Sequence, residues 1–288
     1  MTGQSASTVY RHESALGQWS VTMRRPHPAL RQHVTQFWYG EGRVAYQRDR
    51  ILPRTQSYLL VNLGPPQFLV LPGPPEIRIV FDDFWFSGLY EGPIDTEAPE
   101  GSALLGVAFS ATGAASLLPW SQAALANRTE PLEAIIGVSA RQLRERLLHT
   151  PDTTARFDLV ENWLLDVGMT GRSVHPLVHW AMQRIAEAGG NLRTQELAQQ
   201  SGYSRKHLTG VISREVGLPP KALMRLQRFG ATLQALGRGH PDTWADLANR
   251  CGYFDQSHFI NEFQQYAGTT PAEFLRLSQP DPGSVVVR

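Results

Sequence analysis

Residues 194–226, TQELAQQSGYSRKHLTGVISREVGLPPKALMRL, lie over residues 243–277, TWADLANRCGYFDQSHFINEFQQYAGTTPAEFLRL, as two copies of one pattern. Leu197-Ala198 matches Leu247-Ala248, and Gly202-Tyr203 matches Gly252-Tyr253. After one inserted residue, Leu208, Ile212, Gly217 and Pro220 match Phe259, Phe263, Gly268 and Pro271. Such self-similarity marks a supersecondary unit used twice. Each copy spells helix, sharp turn, helix. Thr194 opens a short first helix, Gly202 supplies the positive φ of a tight turn, and Ser204 opens a second helix.

The second helix of each copy divides by face. Leu208, Val211 and Ile212 turn inward and leave Arg205, Lys206, Thr209 and Ser213 outside; Phe259, Phe263 and Tyr266 turn inward and leave Gln256, Ser257, His258, Asn261 and Gln265 outside. These outer side chains are the kinds that bond base edges and phosphates. Two amphipathic helices packed in a bundle would also show solvated outer faces, but the Gly-Tyr turn present in both copies favours a recognition unit. Between the copies, PKALMRLQRFGATLQAL (220–236) reads as one helix that starts on Pro220 and stops at Gly237 and Gly239. At about 1.5 Å per residue it spans roughly 25 Å. With the flanking helices that length can set the two outer faces about 34 Å apart, one turn of B-DNA.

The stretch CGYFDQSHF (251–259) imitates a catalytic cluster, with the chain's single cysteine, an aspartate, a serine and a histidine. Ser257 and His258 point about 100° apart on a helix and sit on no nucleophile elbow. Cys251 has no neighbouring cysteines with which to build a zinc site. Under the repeat, Cys251 closes the first helix, Asp255 caps the second, Ser257 and His258 face outward and Phe259 returns to the core. No enzyme is expected here.

The same residues resemble the AraC/XylS family of bacterial transcription regulators. Ala248, Gly252-Tyr253, Ser257-His258-Phe259, Phe263, Gly268-Thr269-Thr270-Pro271, Phe274 and Arg276 stand where that family has its characteristic residues. The resemblance implies a seven-helix DNA-binding domain over residues 175–278, with helix-turn-helix units at 194–217 and 243–268 joined by the linker helix 220–236. It also implies a separate sensing or dimerisation domain. Carried over by position, Lys206, Thr209 and Gly210 face bases in the first unit, with Arg205 and Arg214 as phosphate candidates. In the second unit the positions are Gln256, Ser257, His258 and Asn261. Gly210 stands where the family often has a long polar side chain, so the first helix is expected to read fewer bases. Asn261 suits bidentate pairing with adenine or a phosphate contact. The implied partners are double-stranded DNA, a small-molecule effector, a second copy of the chain, and RNA polymerase if the protein activates.

Upstream, residues 20–110 hold short apolar runs rich in β-branched and aromatic residues, such as SYLLVNLG (57–64) and IRIVF (77–81), broken by Pro and Gly. That spacing predicts an antiparallel sandwich or small barrel. The fold class expected is therefore α+β. The resemblance implies that the β region is a cupin-like sensor domain (1–110); it carries a helical appendix (111–170) and is followed by an all-α domain and a flexible tail (279–288). In the appendix, SLLPWSQAALAN, SARQLRERLLHT and ARFDLVENWLLDVG read as helices. Their Leu143/Leu147/Leu148 and Trp163/Leu164 stripes either pair two chains or cover the chain's own domains. The break MTGRSV (169–174) is the expected boundary. Trp38, Arg54, Tyr58, Phe68 and Trp85 are candidate effector-pocket residues, against the alternative that the aromatics fill a barrel core and Arg54 is a solvated charge. Only His27 and His33 fall between residues 20 and 110, without His-x-His spacing, so no catalytic metal and no cofactor is expected.

Bulk properties constrain the rest. The 288 residues suffice for two domains, and the net charge of +1 offers no global field for a polyanion, so DNA binding must come from a local patch. One cysteine fits a reducing cytoplasm, and no run approaches the roughly 20 apolar residues of a membrane span. The competing reading is a small-molecule-binding or enzymatic cupin-like protein with a vestigial DNA-binding domain. It differs in lacking salt-sensitive DNA binding.

Overall fold

The computed structural model describes residues 6–118, 120–133, 137–168, 173–239, 241, 243–277 and 283–287. The boundary expected at 169–174 falls largely outside them. Two antiparallel sheets form the N-terminal domain. Their strands are β1 (Ser7–Ser14), β2 (Gly17–Arg24), β3 (Val34–Val44), β4 (Arg48–Ile51), β5 (Tyr58–Asn62), β6 (Gln67–Leu71), β7 (Ile77–Phe81), β8 (Phe84–Ser87), β9 (Ile94–Glu97), β10 (Ser102–Phe109), β11 (Thr129–Pro131) and β12 (Ser284–Val287). One sheet has seven strands in the order β1-β2-β3-β10-β5-β8-β11, and the other has five in the order β12-β4-β9-β6-β7.

Alternation of side chains gives the larger sheet two different faces. Phe37, Leu59, Val61, Phe86, Leu105, Val107 and Phe109 bury one face beneath three helices, α1 (Gly113–Leu117), α2 (Val138–Leu148) and α3 (Thr153–Gly168). Leu143, Leu147, Phe157, Val160, Trp163 and Leu164 supply the helical side of that core, so they cover the chain's own sheet, whereas Leu148 of the expected stripe is exposed. Arg24 pins α3 down. Its guanidinium, 3% exposed, pairs with Asp158 and Glu161 while lying over the rings of Phe37 and Phe157.

The structure departs from the sequence expectations at two places. SLLPWSQAALAN (116–127) is not one helix. Leu118 is extended ahead of Pro119, as the clash of a proline ring with the preceding residue requires, and only a single 3-10 turn, Gln122–Leu125, follows. Residues 7–14, within the expected β domain, form an edge strand with nearly every residue exposed and no apolar alternation. Of the expected flexible tail, residues 283–287 are ordered. Val285 is fully buried, β12 pairs with β4, and the Leu52 amide donates to the Gly283 carbonyl at 2.8 Å. The β-branched run Val285-Val286-Val287 suits a strand, but its partner lies more than 200 residues upstream, out of reach of a local reading.

The C-terminal region is helical: α4 (Pro176–Glu187), α5 (Thr194–Ser201), α6 (Arg205–Val216), α7 (Pro220–Gly237), α8 (Trp244–Arg250), α9 (Gln256–Ala267) and α10 (Pro271–Phe274). Leu208, Ile212, Leu223, Phe229, Phe259, Phe263 and Tyr266 are among its fully buried residues. Leu52, Leu89, Ala115 and Val285 from the sheets and their connections belong to the same apolar cluster. The two domains thus share a core.

Candidate nucleic-acid interface

Two helix-turn-helix units are built by short-range chemistry. In the first, the Glu196 carboxylate accepts the Arg193 amide at 3.1 Å at the start of α5. Gly202 turns the chain at φ 73, and Ser204 Oγ accepts the His207 amide at 3.2 Å to cap α6. In the second, Thr243 Oγ1 accepts the Asp246 amide at 3.1 Å, Gly252 turns the chain at φ 79, and Asp255 Oδ1 accepts the His258 amide at 2.7 Å. Such caps each contribute about 1 kcal/mol. Gly252 is required twice over, since a Cβ there would also strike Asn191 Oδ1 at 1.7 Å.

The repeat is not perfect. Tyr253 is 4% exposed and its hydroxyl accepts from Thr232 Oγ1 at 3.4 Å, whereas Tyr203 is 45% exposed and stacks on His207. Burial raises the Tyr253 phenol's pKa and pushes Tyr266 up to about 12, so both stay neutral at ordinary pH. Cys251, 7% exposed, closes α8.

Arg205, Lys206, Gly210 and Arg214 are exposed on α6, and Thr209 is half-buried beside them. Gln256, Ser257, His258 and Asn261 are exposed on α9. His258 differs from its neighbours. Its Nδ1 accepts the Phe254 amide at 3.3 Å and its Nε2 lies 3.5 Å from Glu262 Oε2, so the ring folds back on its own helix. Phe254 itself, next to the start of α9, is 88% exposed.

Sequence reasoning missed the residues between the units. Glu262, assigned no role and 4% exposed, takes Arg225 at 2.8 Å and Arg228 at 3.2 Å, tying α9 to α7. Arg228 also donates to the Gly190 carbonyl at 3.1 Å, and Arg225 to Gln265 Oε1 at 2.5 Å. The available signal was a carboxylate among Phe259, Phe263 and Tyr266 on the inward face of α9, opposite a helix with arginines at i and i+3.

The effector-pocket candidates do not all converge. Registers place Trp38, Gly106, Leu60 and Trp85 in one row across β3, β10, β5 and β8, on the face turned away from the helices. Trp38 lies so close over Gly106 that a Cβ there would sit 2.1 Å from its ring. Tyr58 shares that face, two residues from Leu60, and Trp85 Nε1 is buried without a hydrogen-bond partner. Phe68 does not join them. It pairs with Val80 and Glu97, on the face of its sheet opposite Phe81, whose ring meets Trp85 at 5.0 Å. Arg54 is exposed and packs on the C-terminal segment, where a Cβ on Gly283 would sit 1.2 Å from its Nη2. Among the described residues no group of three or more His, Cys, Asp or Glu could hold a metal ion, and no helix is long and apolar enough to cross a membrane.

Tandem helix-turn-helix units with exposed polar second helices define a DNA-binding module. Residues 197–277 match the family described as Helix-turn-helix domain, and residues 22–131 match a Domain of unknown function (DUF6597). The chain is 34% identical over 89 residues to the HTH-type transcriptional regulator Rv1931c of Mycobacterium tuberculosis, an overlap of 31% of this chain and 34% of that protein. It therefore spans about a third of that relative's length. Among solved structures, the C-terminal domain of AraT, a response regulator from Geobacillus stearothermophilus, is 23% identical with a TM-score of 0.35, covering 38% of this chain and 94% of that one. ToxT from Vibrio cholerae is 8% identical with a TM-score of 0.46, covering 95% and 98%. Residues 197–277 of this chain are thus a helix-turn-helix domain.

Proposed function

We propose that the protein is a sequence-specific transcription regulator whose α6 and α9 read adjacent major grooves, with the N-terminal domain responding to an effector or to a second copy of the chain. One observation carries the reading. Two units of the same build present exposed polar faces on α6 and α9, joined by the single rigid helix α7. Its 18 residues reach about 27 Å at 1.5 Å per residue, and the flanking turns extend that toward the 34 Å repeat of B-DNA. Lys206 and Thr209 act as base readers in the first unit, where Gly210 contributes no side chain, and Arg205 and Arg214 hold phosphates. In the second unit Gln256, Ser257 and Asn261 read bases, while His258 steadies the start of the helix.

The shared core supports coupling between the domains, because Leu52, Leu89, Ala115 and Val285 cannot shift without disturbing the packing beneath α6 and α9. Trp38, Tyr58 and Trp85 line the face on which an effector would act. Selection of bound duplexes from random DNA by the full chain, with and without candidate metabolites, tests the reading. A common motif of two half-sites is expected. Recovery of no motif contradicts it.

A further inference from the structure

We propose that the cleft between the two helix-turn-helix units is a clamp for the DNA phosphodiester backbone, with Arg193, Arg205 and Lys221 as its phosphate ligands. This rests on the reading of the domain as DNA-binding, in which Arg205 already holds a phosphate, and adds Arg193, Lys221 and the cleft that joins them to it.

The cleft, about 640 Å³, is lined on its cationic side by Arg193, Arg205, Lys221, Arg225 and Arg228, with Glu262 as its one carboxylate. The five cations are not equivalent. Arg225 and Arg228 are committed to Glu262, Gln265 and the Gly190 carbonyl. Arg193, Arg205 and Lys221 are exposed and make no ion pair among the described residues. They converge from three separate elements: Arg193 immediately precedes α5, Arg205 is the first residue of α6, and Lys221 is the second of α7. Each therefore stands at a helix N-terminus, the positive end of the helix dipole.

Like charges brought together in a concave surface repel one another, and a polyanion relieves that repulsion. A neutralising carboxylate is present, but it is buried and already shared between the two structural arginines. The opposite wall carries Asn261 and Gln265 of α9, so the cleft lies between the helices assigned to successive major grooves. Two such helices on one face of a duplex straddle the phosphates that separate the grooves, and this is where the three cations sit. Both lysines of the chain serve this surface, Lys206 on α6 and Lys221 in the cleft.

The test is fluorescence anisotropy with the full chain, on a duplex recovered by selection and on a scrambled duplex of equal length, across a series of salt concentrations. Arg193→Ala and Lys221→Ala are each expected to reduce the slope of log affinity against log salt by about 1, and to weaken both duplexes by the same factor. Lys221→Arg should keep the wild-type slope. Because the three side chains are exposed, thermal unfolding of the variants should match the wild type. An unchanged slope in the Arg193→Ala/Lys221→Ala double variant overturns the clamp while leaving the DNA-binding reading intact. Loss confined to the selected duplex also overturns it, by marking these residues as base readers. Saturable binding of inorganic phosphate to the DNA-free chain, lost in the double variant while the DNA slope stays unchanged, assigns the cleft to a small anion and overturns it too. A wild-type chain without salt-sensitive binding to either duplex overturns the parent reading as well.

Discussion

Arg50 of β4 and Gly268, the residue that ends α9, meet across the domain boundary: a Cβ on Gly268 would stand 2.4 Å from Arg50 Nη1. Asp95 holds that guanidinium from the other side through bonds of 2.8 and 2.9 Å. A parallel contact exists at the first unit, where a Cβ on Gly217, the residue that ends α6, would stand 3.0 Å from the Gln122 carbonyl oxygen. The N-terminal domain thus touches the C-terminal ends of both α6 and α9 and leaves the residues at their N-terminal ends exposed.

Gly268 has φ 69, and a Cβ there would have to displace the Arg50 guanidinium, so Gly268→Ala is expected to destabilise the protein by about 1 kcal/mol or more. Part of that cost comes from Arg50. In a double-mutant cycle followed by thermal unfolding, Gly268→Ala should therefore cost less on an Arg50→Ala background than on the wild type. Equal costs on both backgrounds would show the contact to be inert.

Glu262 is the buried joint between α9 and α7. Glu262→Ala leaves Arg225 and Arg228, both mostly buried, without their counter-charge, and should cost about 3–5 kcal/mol in denaturant unfolding. Glu262→Gln keeps the shape and a hydrogen-bond acceptor and should recover part of the loss. A stability change below about 1 kcal/mol in Glu262→Ala, the range of an exposed pair, would refute the joint.

Acidification should loosen the protein at the domain boundary. Burial, and then the neighbouring His179 of α4, hold the His33 pKa below its ordinary value of 6.5. Between the lowered value and the ordinary one, the unfolded chain binds more protons than the folded chain, so stability rises with pH across that window. His33's contribution is present above about pH 6.5 and is lost as pH falls toward its folded pKa. His33→Asn should flatten the dependence of Tm on pH in the mildly acidic range. The same slope in variant and wild type would remove His33 from this role.

Lys206→Ala and Asn261→Ala should each weaken binding to a selected duplex by about 1–3 kcal/mol and relax preference at the base they read. His258→Ala should instead lower stability without changing the selected motif, since both ring nitrogens face the protein. Competition binding against single-base variants of the site distinguishes these outcomes.

The helix-turn-helix units were legible in the sequence because their determinants are local. Gly202 and Gly252 force turns, Ser204 and Asp255 cap helices, and the spacing of Leu208, Ile212, Phe259 and Phe263 fixes which face is buried. What depends on contacts across the chain was not legible. Val285 finds its strand partner at Arg50, Arg54 is drawn to Gly283, and Glu262 becomes a buried charge only because α7 brings two arginines to it. Phe68 was misplaced for a related reason. Alternation shows that β6 has two faces, but which face meets Trp85 depends on the register with β7 and β9.

The central claim, that one chain places two recognition helices in adjacent major grooves, is tested most directly by hydroxyl-radical footprinting of the full chain on a selected duplex. Two protected segments on one face of the DNA, centred about one helical turn of 10–10.5 base pairs apart, are the expected result. A single protected half-site that is indifferent to Asn261→Ala, or protection without sequence preference, would contradict it.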